Sequence, residues 1–310
     1  MLAQGLDPNP SLRDAFAHCR RIALGHYENF SIASWLMPRE LRPHMYALYA
    51  YCRGVDDLGD EAGGDRAALL DEWEAELRRC YRGTPGDIRF VALRETIRRF
   101  NIPPEPFERL IEANRRDQAV TRYRSFGQLL DYCTYSANPV GHLVLYVFGH
   151  RDPERQRLAD ATCTALQLTN FWQDVSVDLE KDRIYLPLED MRNFGYGEHD
   201  LRARRENDAF RRLTAFQVAR TRALFSEGLG LIPLVQGRLR VDLRLFSLGG
   251  LAVLNAIERL DYGVLRRRPH LGKLRKAWLA LRGLAPITPA VKEKALWRTD
   301  CTPPTTTVKS

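Results

Sequence analysis

Long stretches of this 310-residue sequence are rich in Leu, Ala, Arg and Glu, the residues that most favour an α-helix. The alternation of Val, Ile and Thr with polar residues that marks β-strands is hard to find. Turn-forming residues separate segments of helical length, and they fall at Pro38, Pro43, 82–86, Pro103-Pro104, 149–153 and 195–197. The sequence therefore predicts an all-α protein.

No internal repeat and no Gly/Ser-rich linker divides the chain before Pro286. Segments 71–79 and 207–225 place mixed charges between apolar residues, which predicts outer helices with one buried face. After Pro286, the prolines and the threonines of 302–307 predict an extended segment. We therefore expect one helical domain over 1–285 and a disordered C-terminal tail over 286–310.

The charge balance favours acidic partners, because 47 Lys and Arg exceed 39 Asp and Glu and give a net charge of +8. Six cysteines stand far apart without a CxxC motif, so we expect reduced thiols rather than disulfides or a zinc ribbon. No segment reaches the roughly 18 apolar residues of a spanning helix, and the first residues lack a signal-peptide pattern. These features predict a cytoplasmic protein, at most peripheral to the inner membrane face.

An apolar helical segment, 45–62, ends in four acidic residues within six positions: Asp56, Asp57, Asp60 and Glu61. Like charges at i,i+4 each destabilise an isolated helix by roughly 0.2–0.5 kcal/mol, so a counter-charge is expected. One stripe of the helix holds Tyr49, Arg53, Asp56 and Asp60. The cluster is either a solvated acidic helix end or a cation site.

A second polar stripe runs through segment 166–187 and consists of Gln167, Asn170, Asp174 and Asp178. The other sides of this segment are apolar, so the stripe faces the interior or lines a cleft. One buried polar stripe is usually a contact between helices. Two Asp-x3-Asp stripes of the same design in one helical chain are harder to explain in that way.

The two stripes together suit Mg²⁺, which is commonly held by one or two carboxylates and by phosphate oxygens of the substrate. Facing aspartate stripes would gather Mg²⁺ around a diphosphate. Arg53, Lys181 and Arg183 would then donate charge-assisted hydrogen bonds to the same anion. The sequence thus predicts a Mg²⁺-diphosphate site built from two helices.

Around these stripes stand two motifs, Tyr49-x3-Arg53-x2-Asp56-Asp57-x2-Asp60 and Asn170-x2-Gln173-Asp174-x3-Asp178, the second followed by Arg183-Ile184-Tyr185-Leu186-Pro187. In these motifs the chain resembles the squalene/phytoene synthase family, the head-to-head isoprenoid synthases, from about residue 21 to residue 276. The resemblance implies a single-domain helical bundle with a central cavity. It also implies that the aspartate motifs face each other across the mouth of that cavity.

The resemblance assigns candidate roles to individual residues. The candidate metal ligands are Asp56, Asp57, Asp60, Asp174 and Asp178, of which all but Asp57 follow from the resemblance. The implied substrate pocket consists of Tyr49, Arg53, Tyr132, Ser136, Gln167, Asn170, Phe171, Arg183 and Tyr185, with Arg267 as a late diphosphate contact. The candidate catalytic residues are Arg53, Tyr185 and Asn138.

Two segments, Ser136-Ala137-Asn138-Pro139-Val140-Gly141 and 26–34, resemble the hydroxysqualene synthase branch of the family, which belongs to a three-enzyme bacterial route to squalene and hopanoids. The amide of Asn138 could orient a water near a carbocation. Equally, Asn138-Pro139 could form a local helix kink in which the amide satisfies a backbone group. Both interpretations stay open at the level of the sequence.

The resemblance implies Mg²⁺-dependent conversion of presqualene diphosphate to hydroxysqualene, by loss of diphosphate, rearrangement of the cation and capture of one water. The faces of Tyr132, Phe171 or Trp172 could stabilise the cation. No NADPH is expected, because Gly228-Leu229-Gly230 lacks the rest of a dinucleotide fingerprint. Two alternatives are head-to-head condensation to presqualene diphosphate or phytoene, and a non-catalytic helical scaffold of the same fold.

The expected partners follow from such a substrate. A long prenyl diphosphate partitions into bilayers, so we expect an anionic membrane surface as a partner, attracted by the basic run 266–276. Neighbouring enzymes of the squalene pathway are further candidates. No nucleic acid is expected, because the basic run 202–212 is interrupted by Glu206 and Asp208 and is typical of a solvated helix face.

Overall fold

The computed structural model describes residues 11–25 and 37–272, and helices fill most of these ranges. Within them, β-structure is limited to an isolated bridge between Arg122 and Ile184. The all-α prediction is therefore confirmed. The predicted tail over 286–310 and the branch segment 26–34 lie outside the described residues.

The first half of the chain forms α1 (Leu12–Gly25), α2 (Arg42–Asp60), α3 (Arg66–Arg82), α4 (Ile88–Phe100) and α5 (Glu105–Asp117). The turn residues act where the sequence placed them. Gly83 ends α3 with a φ of 89°, a left-handed conformation that glycine adopts without strain. Pro43 lies in the first turn of α2, where its missing N–H leaves no helical hydrogen bond unmade.

The second half forms α6 (Phe126–Ser136), α7 (Asn138–Val147), α8 (Pro153–Gln173), α9 (Val175–Glu180), α10 (Leu188–Asn193), α11 (Glu198–Arg202), α12 (Asp208–Gly228), a 3₁₀-helix (Leu229–Leu234) and α13 (Gly237–Arg259). Asp152 starts α8 by accepting the Arg155 N–H at 3.0 Å. None of the described helices combines the length and apolar composition needed to cross a bilayer.

Two helices, α2 and α8, are each surrounded by others. Helices α1, α3, α4 and α5 pack around α2, whereas α7, α12 and α13 pack around α8. Leu168 and Trp172 of α8 are at most 1% exposed, and burying a side chain of this size contributes roughly 1.5–3 kcal/mol. The first aspartate motif therefore stands on the central helix of the first half, and the second motif begins on α8 and continues into α9.

Close approach of α5 to α2 depends on Gly59, which lies between the aspartates of the first motif. A Cβ atom at Gly59 would lie 2.0 Å from Oδ1 of Asn114, a distance that no packing allows. The missing side chain brings the amide of Asn114 on α5 beside the acidic end of α2. The sequence of α2 thereby positions a polar group from another helix at the same place.

Because the ring of His44 on α2 is buried, we expect the unfolding free energy of the protein to fall in acid. The ring lies edge-on to Phe16 and Phe100, with centroids 5.2 and 4.9 Å away, and Nδ1 lies 2.9 Å from the Thr96 hydroxyl. Burial, with a contribution from Arg99, lowers the pKa of His44 to about 4. The unfolded state therefore takes up a proton between pH 6.5 and about 4 that the folded state does not.

We expect this proton uptake to cost about 1–3 kcal/mol of unfolding free energy as the pH falls across that interval. Urea unfolding of the wild type and of His44→Gln at pH 7 and pH 4.5 measures it. The wild type should lose more stability than the variant over this interval. Equal losses in both proteins would show that His44 does not carry the effect.

Candidate active site

A cavity of about 290 Å³ lies between α2, α5, α6, α8 and α9, and both acidic stripes line it. Its polar lining comes from Asp56, Asp60, Asn114, Asp117, Ser136, Gln167, Asn170, Asp174, Asp178, Lys181 and Arg183. Its less polar lining comes from Leu110, Ala113, Tyr132, Phe171 and Tyr185. The structure thus places carboxylates from two distant parts of the chain on one enclosed surface.

The first stripe contributes Asp56 and Asp60 from the last turns of α2. Burial raises the pKa of Asp56 to about 6, the negative charge of Asp60 adds to the rise, and a hydrogen bond from Asn114 opposes it. The Asn114 amide donates to Oδ1 of Asp56 over 3.3 Å. Asp56 is consequently a carboxylate with too little positive charge around it.

The second stripe ends in Asp174 and Asp178, at the junction of α8 with α9. The N–H groups of Val177 and Asp178 each donate to the Asp174 carbonyl at 2.9 Å. Burial raises the pKa of Asp178 to about 7, and the charge of Asp174 adds to the rise. This stripe, like the first, lacks full charge compensation from the protein.

Two arginines join the stripes to other parts of the chain. Arg183 donates from Nη2 to Oδ1 of Asp60 at 2.9 Å, and so connects the segment after α9 to the end of α2. Arg268 contacts both oxygens of Asp174, with Nε at 2.5 Å and Nη2 at 3.1 Å. Arg183 lines the cavity, whereas Arg268 contacts the second stripe at Asp174.

Arg268, the neighbour of the predicted diphosphate contact Arg267, contacts Asp174 of the second motif. Arg267 and Arg268 are both exposed, and neither is part of the cavity lining. Gln173 donates to the Pro269 carbonyl at 2.7 Å, which fixes the segment so that Arg268 faces the second motif.

Tyr49, Arg53 and Asp57 also lie outside the cavity lining. Arg53 forms ion pairs with Asp57 at 2.5 Å and with Glu61 at 2.7 Å. These three residues recur every four positions and form a stripe of their own beside that of Asp56 and Asp60. Tyr49 packs against the apolar cluster that α1 and α2 share. The structure therefore gives these predicted site residues local contacts on α2.

The donor set fits Mg²⁺ held together with a diphosphate. In the ranges that the structure describes, no three Asp, Glu, His or Cys side chains converge into a ready-made metal cluster. The stripe carboxylates that line the cavity are oxygen ligands of the kind that Mg²⁺ takes, one or two at a time, while water and phosphate oxygens complete its shell. The raised pKa values of Asp56 and Asp178 mark carboxylates that a divalent cation would stabilise.

An aromatic wall closes one side of the cavity. The rings of Phe171 and Tyr185 stack with centroids 3.7 Å apart and planes 7° from parallel. Tyr123 stacks on Tyr185 in turn, at 5.6 Å. Trp172 does not take part, because its indole N–H donates to the Thr221 hydroxyl at 2.8 Å within the core. Of the aromatic residues considered for cation stabilisation, Tyr132 and Phe171 line the cavity.

The sequence reading missed Asp117, at the end of α5. It lines the cavity and accepts a hydrogen bond from the Tyr132 hydroxyl at 2.8 Å. Burial raises the pKa of Asp117 to about 6. The signal was present in the spacing of Leu110, Ala113 and Asn114 with Asp117, which share one face of α5.

The side-chain amide of Asn138 forms a hydrogen bond with another buried side chain of the protein. Helix α6 ends at Ser136 and α7 begins at Asn138, so the chain bends at Ala137. Oδ1 of Asn138 accepts a hydrogen bond from the buried hydroxyl of Thr164 at 2.9 Å, and Asn138 is not part of the cavity lining. Ser136 does line the cavity, and its buried Oγ has no hydrogen-bond partner among the described residues.

The arginines of the basic run 202–212 and the described cysteines lie apart from the cavity lining. In the basic run 202–212, Arg202, Arg204 and Arg205 pair with carboxylates at 2.6–2.9 Å, in agreement with a solvated surface. The described cysteines are all free thiols. Lys273, Arg275 and Lys276 of the second basic run lie outside the described residues.

Comparison with known proteins identifies relatives over most of the chain. A solved structure of squalene synthase HpnC from Alicyclobacillus acidocaldarius is 54% identical, covers 81% of this chain and 96% of its own, and superposes with a TM-score of 0.80. A dehydrosqualene synthase solved in complex with ligand is 26% identical, covers 89% of this chain and 98% of its own, and has a TM-score of 0.80.

The phytoene synthase of Thermus thermophilus is 36% identical over 259 residues, which span 83% of this chain and 87% of the relative. The family model of squalene/phytoene synthases matches residues 23–275. This range contains every residue that lines the cavity. With two aspartate motifs on one cavity and a family match over this length, the chain belongs to the squalene/phytoene synthase family.

Proposed function

We propose that this protein converts presqualene diphosphate to hydroxysqualene. The observation that carries the proposal is the pair of aspartate stripes on one cavity, with Arg183 and Arg268 beside them. Four carboxylates in such a place are costly for a helical scaffold, and this cost argues for an enzyme. The solved structure of the squalene synthase HpnC, at 54% identity, supports a reaction on the route to squalene.

The first step is loss of diphosphate. The bond between the cyclopropylcarbinyl carbon and the diphosphate oxygen breaks, and its electron pair leaves with the oxygen. Arg183, Lys181 and Arg268 donate hydrogen bonds where this negative charge develops, and such donors contribute most when they are fixed beforehand. Mg²⁺ held by the aspartates of the two stripes would supply Lewis-acid stabilisation of the leaving group.

The carbocation then needs a wall that stabilises positive charge without reacting with it. Of the aromatic rings that line the cavity, Tyr132 and Phe171 would provide this wall through the negative quadrupole of a free ring face. Tyr185 does not offer such a face, because it is stacked between Phe171 and Tyr123. Capture of the rearranged cation by water forms the new carbon–oxygen bond and releases one proton. Asp117, which holds the Tyr132 hydroxyl, is a carboxylate of this wall that can accept the proton.

For the water itself, Ser136 is better placed than Asn138. The Ser136 hydroxyl lines the cavity without a protein partner among the described residues, whereas the Asn138 carbonyl oxygen is bound to Thr164. We expect Ser136→Ala to lower the ratio of alcohol to hydrocarbon product about fivefold, the loss of one hydrogen bond of about 1 kcal/mol.

Asn138→Ala serves as the matched comparison. It should leave the product ratio unchanged and lower the unfolding free energy by about 1–3 kcal/mol, because the buried Thr164 hydroxyl loses its acceptor. Gas chromatography of the products and urea unfolding measure the two effects. A changed ratio in Asn138→Ala with an unchanged ratio in Ser136→Ala would return the water to Asn138.

A second candidate function is head-to-head condensation of prenyl diphosphates, to presqualene diphosphate or phytoene. It is favoured by curated relatives that are phytoene synthases, such as the protein of Thermus thermophilus. Both reactions begin by ionising a diphosphate, so the aspartate stripes serve either of them. The difference lies in whether a second prenyl diphosphate or a water meets the cation.

Substrate choice separates the two functions. The purified protein with Mg²⁺ is incubated with presqualene diphosphate or with farnesyl diphosphate, with and without NADPH, and products are identified by mass spectrometry. The proposal expects hydroxysqualene from presqualene diphosphate alone, with no effect of NADPH. Turnover of farnesyl diphosphate to a condensed product would instead establish the second function.

The proposed substrate places the enzyme at a membrane. Its long prenyl chains partition into bilayers, so we propose peripheral association with an anionic cytoplasmic surface and transfer between neighbouring enzymes of the squalene pathway. In the described part of the basic run 266–276, Arg268 is engaged with Asp174, whereas Arg266 and Arg267 are exposed.

A further inference from the structure

An exposed aromatic and basic stripe runs along α12. Phe216 is 43% exposed, and Arg212 and Arg220 stand one turn before and after it on the same side. The ring of Phe216 packs against that of Phe194, with centroids 5.5 Å apart. The guanidinium carbon of Arg220 lies 4.9 Å from the Phe216 ring centroid. The stripe is therefore a supported apolar surface beside positive charge.

A hollow of about 360 Å³ opens next to α10. It is lined by Arg124, Leu188, Met191, Arg192, Tyr196, Gly197 and Glu198. Helix α10 joins the hollow to the stripe, because Leu188 and Arg192 line the hollow while Asp190 pairs with Arg220 on α12. Arg124 belongs to the same surface, since its carbonyl accepts the Glu189 N–H at 3.0 Å.

The charges on this surface are not balanced. Arg124, Arg192 and Arg212 are exposed, and within 11–25 and 37–272 none of them forms an ion pair with a carboxylate. Asp190 is paired with Arg220 and Glu198 with Arg122 and Arg202. Glu189 accepts the Phe126 N–H, so among the described residues three exposed arginines stand against one of these carboxylates without an ion pair. Exposed arginines beside exposed aromatic rings match an anionic surface with an apolar interior.

We propose that the surface formed by Arg124, Arg192, Phe194, Arg212 and Phe216, here called the α10–α12 face, binds the headgroup region of an anionic lipid bilayer. Phenylalanine rings bind at this level of a bilayer by burying their apolar area at the boundary between the headgroups and the acyl chains. Each arginine near an anionic bilayer strengthens binding about fivefold. The apolar residues that line the hollow, such as Leu188 and Met191, would contact the acyl chains of the bilayer.

The α10–α12 face also adjoins the active-site wall. Tyr185 lines the cavity and Leu188, three residues later, lines the hollow, so their Cα atoms are at most about 11 Å apart. A bilayer on this face would lie next to the cavity that receives a prenyl substrate. The link between this face and uptake of a prenyl substrate rests on the proposed function, whereas the proposed binding to an anionic bilayer does not.

Vesicle binding by the full-length protein tests the proposal. The protein is sedimented with vesicles of phosphatidylcholine alone or of equal parts phosphatidylcholine and phosphatidylglycerol, without substrate. We expect binding to the anionic vesicles, weakened at least about 25-fold in Arg124→Glu/Arg192→Glu. The control, Arg13→Glu/Arg20→Glu, changes the net charge equally on exposed residues of α1 and should bind nearly as well as the wild type.

The aromatic contribution has its own matched pair. Phe216→Ser should weaken binding several-fold, whereas Phe246→Ser, at a residue that is 42% exposed on α13, should not. Circular dichroism melting shows that all variants are folded. Turnover of presqualene diphosphate in detergent micelles is measured separately, so that failure of the proposed reaction and failure of the membrane face are different results.

Three results would overturn the proposal. The first is no preference of the wild type for anionic vesicles. The second is equal weakening by the α1 and the α10–α12 charge reversals, which would indicate attraction by net charge alone. The third is a dimer in sedimentation velocity that Phe216→Ser separates while vesicle binding stays unchanged, which would assign the face to a second copy of the chain.

Discussion

Replacing Asp178 by asparagine should lower kcat at least about a thousandfold and leave the apoprotein as stable as the wild type or more stable. The catalytic loss follows because one of the cavity carboxylates that would hold Mg²⁺ is gone, and metal-assisted departure of diphosphate depends on it. The gain in stability follows because burial and the charge of Asp174 raise the pKa of Asp178 to about 7. The ionised carboxylate therefore costs folding free energy.

The direction in which the unfolding free energy changes with pH distinguishes the cost of the ionised Asp178 carboxylate from a change in stability that is the same at every pH. A carboxyl group whose pKa is raised by folding binds its proton more tightly in the folded state, so stability falls as the pH rises from about 4 to about 7. The difference in unfolding free energy between Asp178→Asn and wild type should grow over this interval to about 1–3 kcal/mol in favour of the variant.

Urea unfolding in EDTA and steady-state kinetics with Mg²⁺ measure the two parts of this prediction. Asp182→Asn is the matched control, because Asp182 lies outside the cavity lining and its backbone, with a φ of 56°, suits asparagine. The control should retain wild-type turnover. Asp178→Asn activity within tenfold of the wild type would contradict the assignment of Asp178 to the metal-binding set.

Removal of Arg268 should lower kcat/KM about a hundredfold, whereas removal of Arg267 should change it little. Arg268 contacts both oxygens of Asp174 and is held there beside the proposed metal site, where a charged donor fixed beforehand would stabilise the departing diphosphate. Arg267 is exposed and has the same charge, so the pair separates position from net charge.

Steady-state kinetics of Arg268→Ala and Arg267→Ala measure this difference, and Arg268→Lys shows how much depends on the two-pronged geometry. Lysine should restore only part of the lost rate. A larger loss in Arg267→Ala than in Arg268→Ala would show that the diphosphate contact lies at the position first inferred from the sequence.

The helices and the two acidic stripes could be predicted from the sequence alone, and the reason is physical. Helical periodicity fixes the direction of each Cα–Cβ bond, so Asp56 with Asp60, and Asp174 with Asp178, had to share a face. The turn residues fixed the helix ends, as Gly83 does for α3. Those two properties are local, and a single sequence contains them.

Contacts made by long side chains and by distant segments were not predictable in this way. Arg53 shares a stripe with Asp56, yet its guanidinium reaches Asp57 and Glu61, because a flexible side chain can choose among carboxylates within its length. Arg268 meets Asp174 only through the packing of residues that are far apart in sequence. The sequence of α5 only weakly indicated a site residue at Asp117, because charged residues lie on several sides of that helix.

The claim that the two stripes hold one metal-diphosphate cluster can be tested by anomalous scattering. Crystals of the protein would be grown with Mn²⁺ in place of Mg²⁺ and with a thiodiphosphate analogue of the substrate that cannot ionise. The account predicts Mn²⁺ peaks between Asp56 and Asp60 on one side and Asp174 and Asp178 on the other, with the diphosphate between them. Metal bound by one stripe alone, or diphosphate outside this cavity, would contradict it.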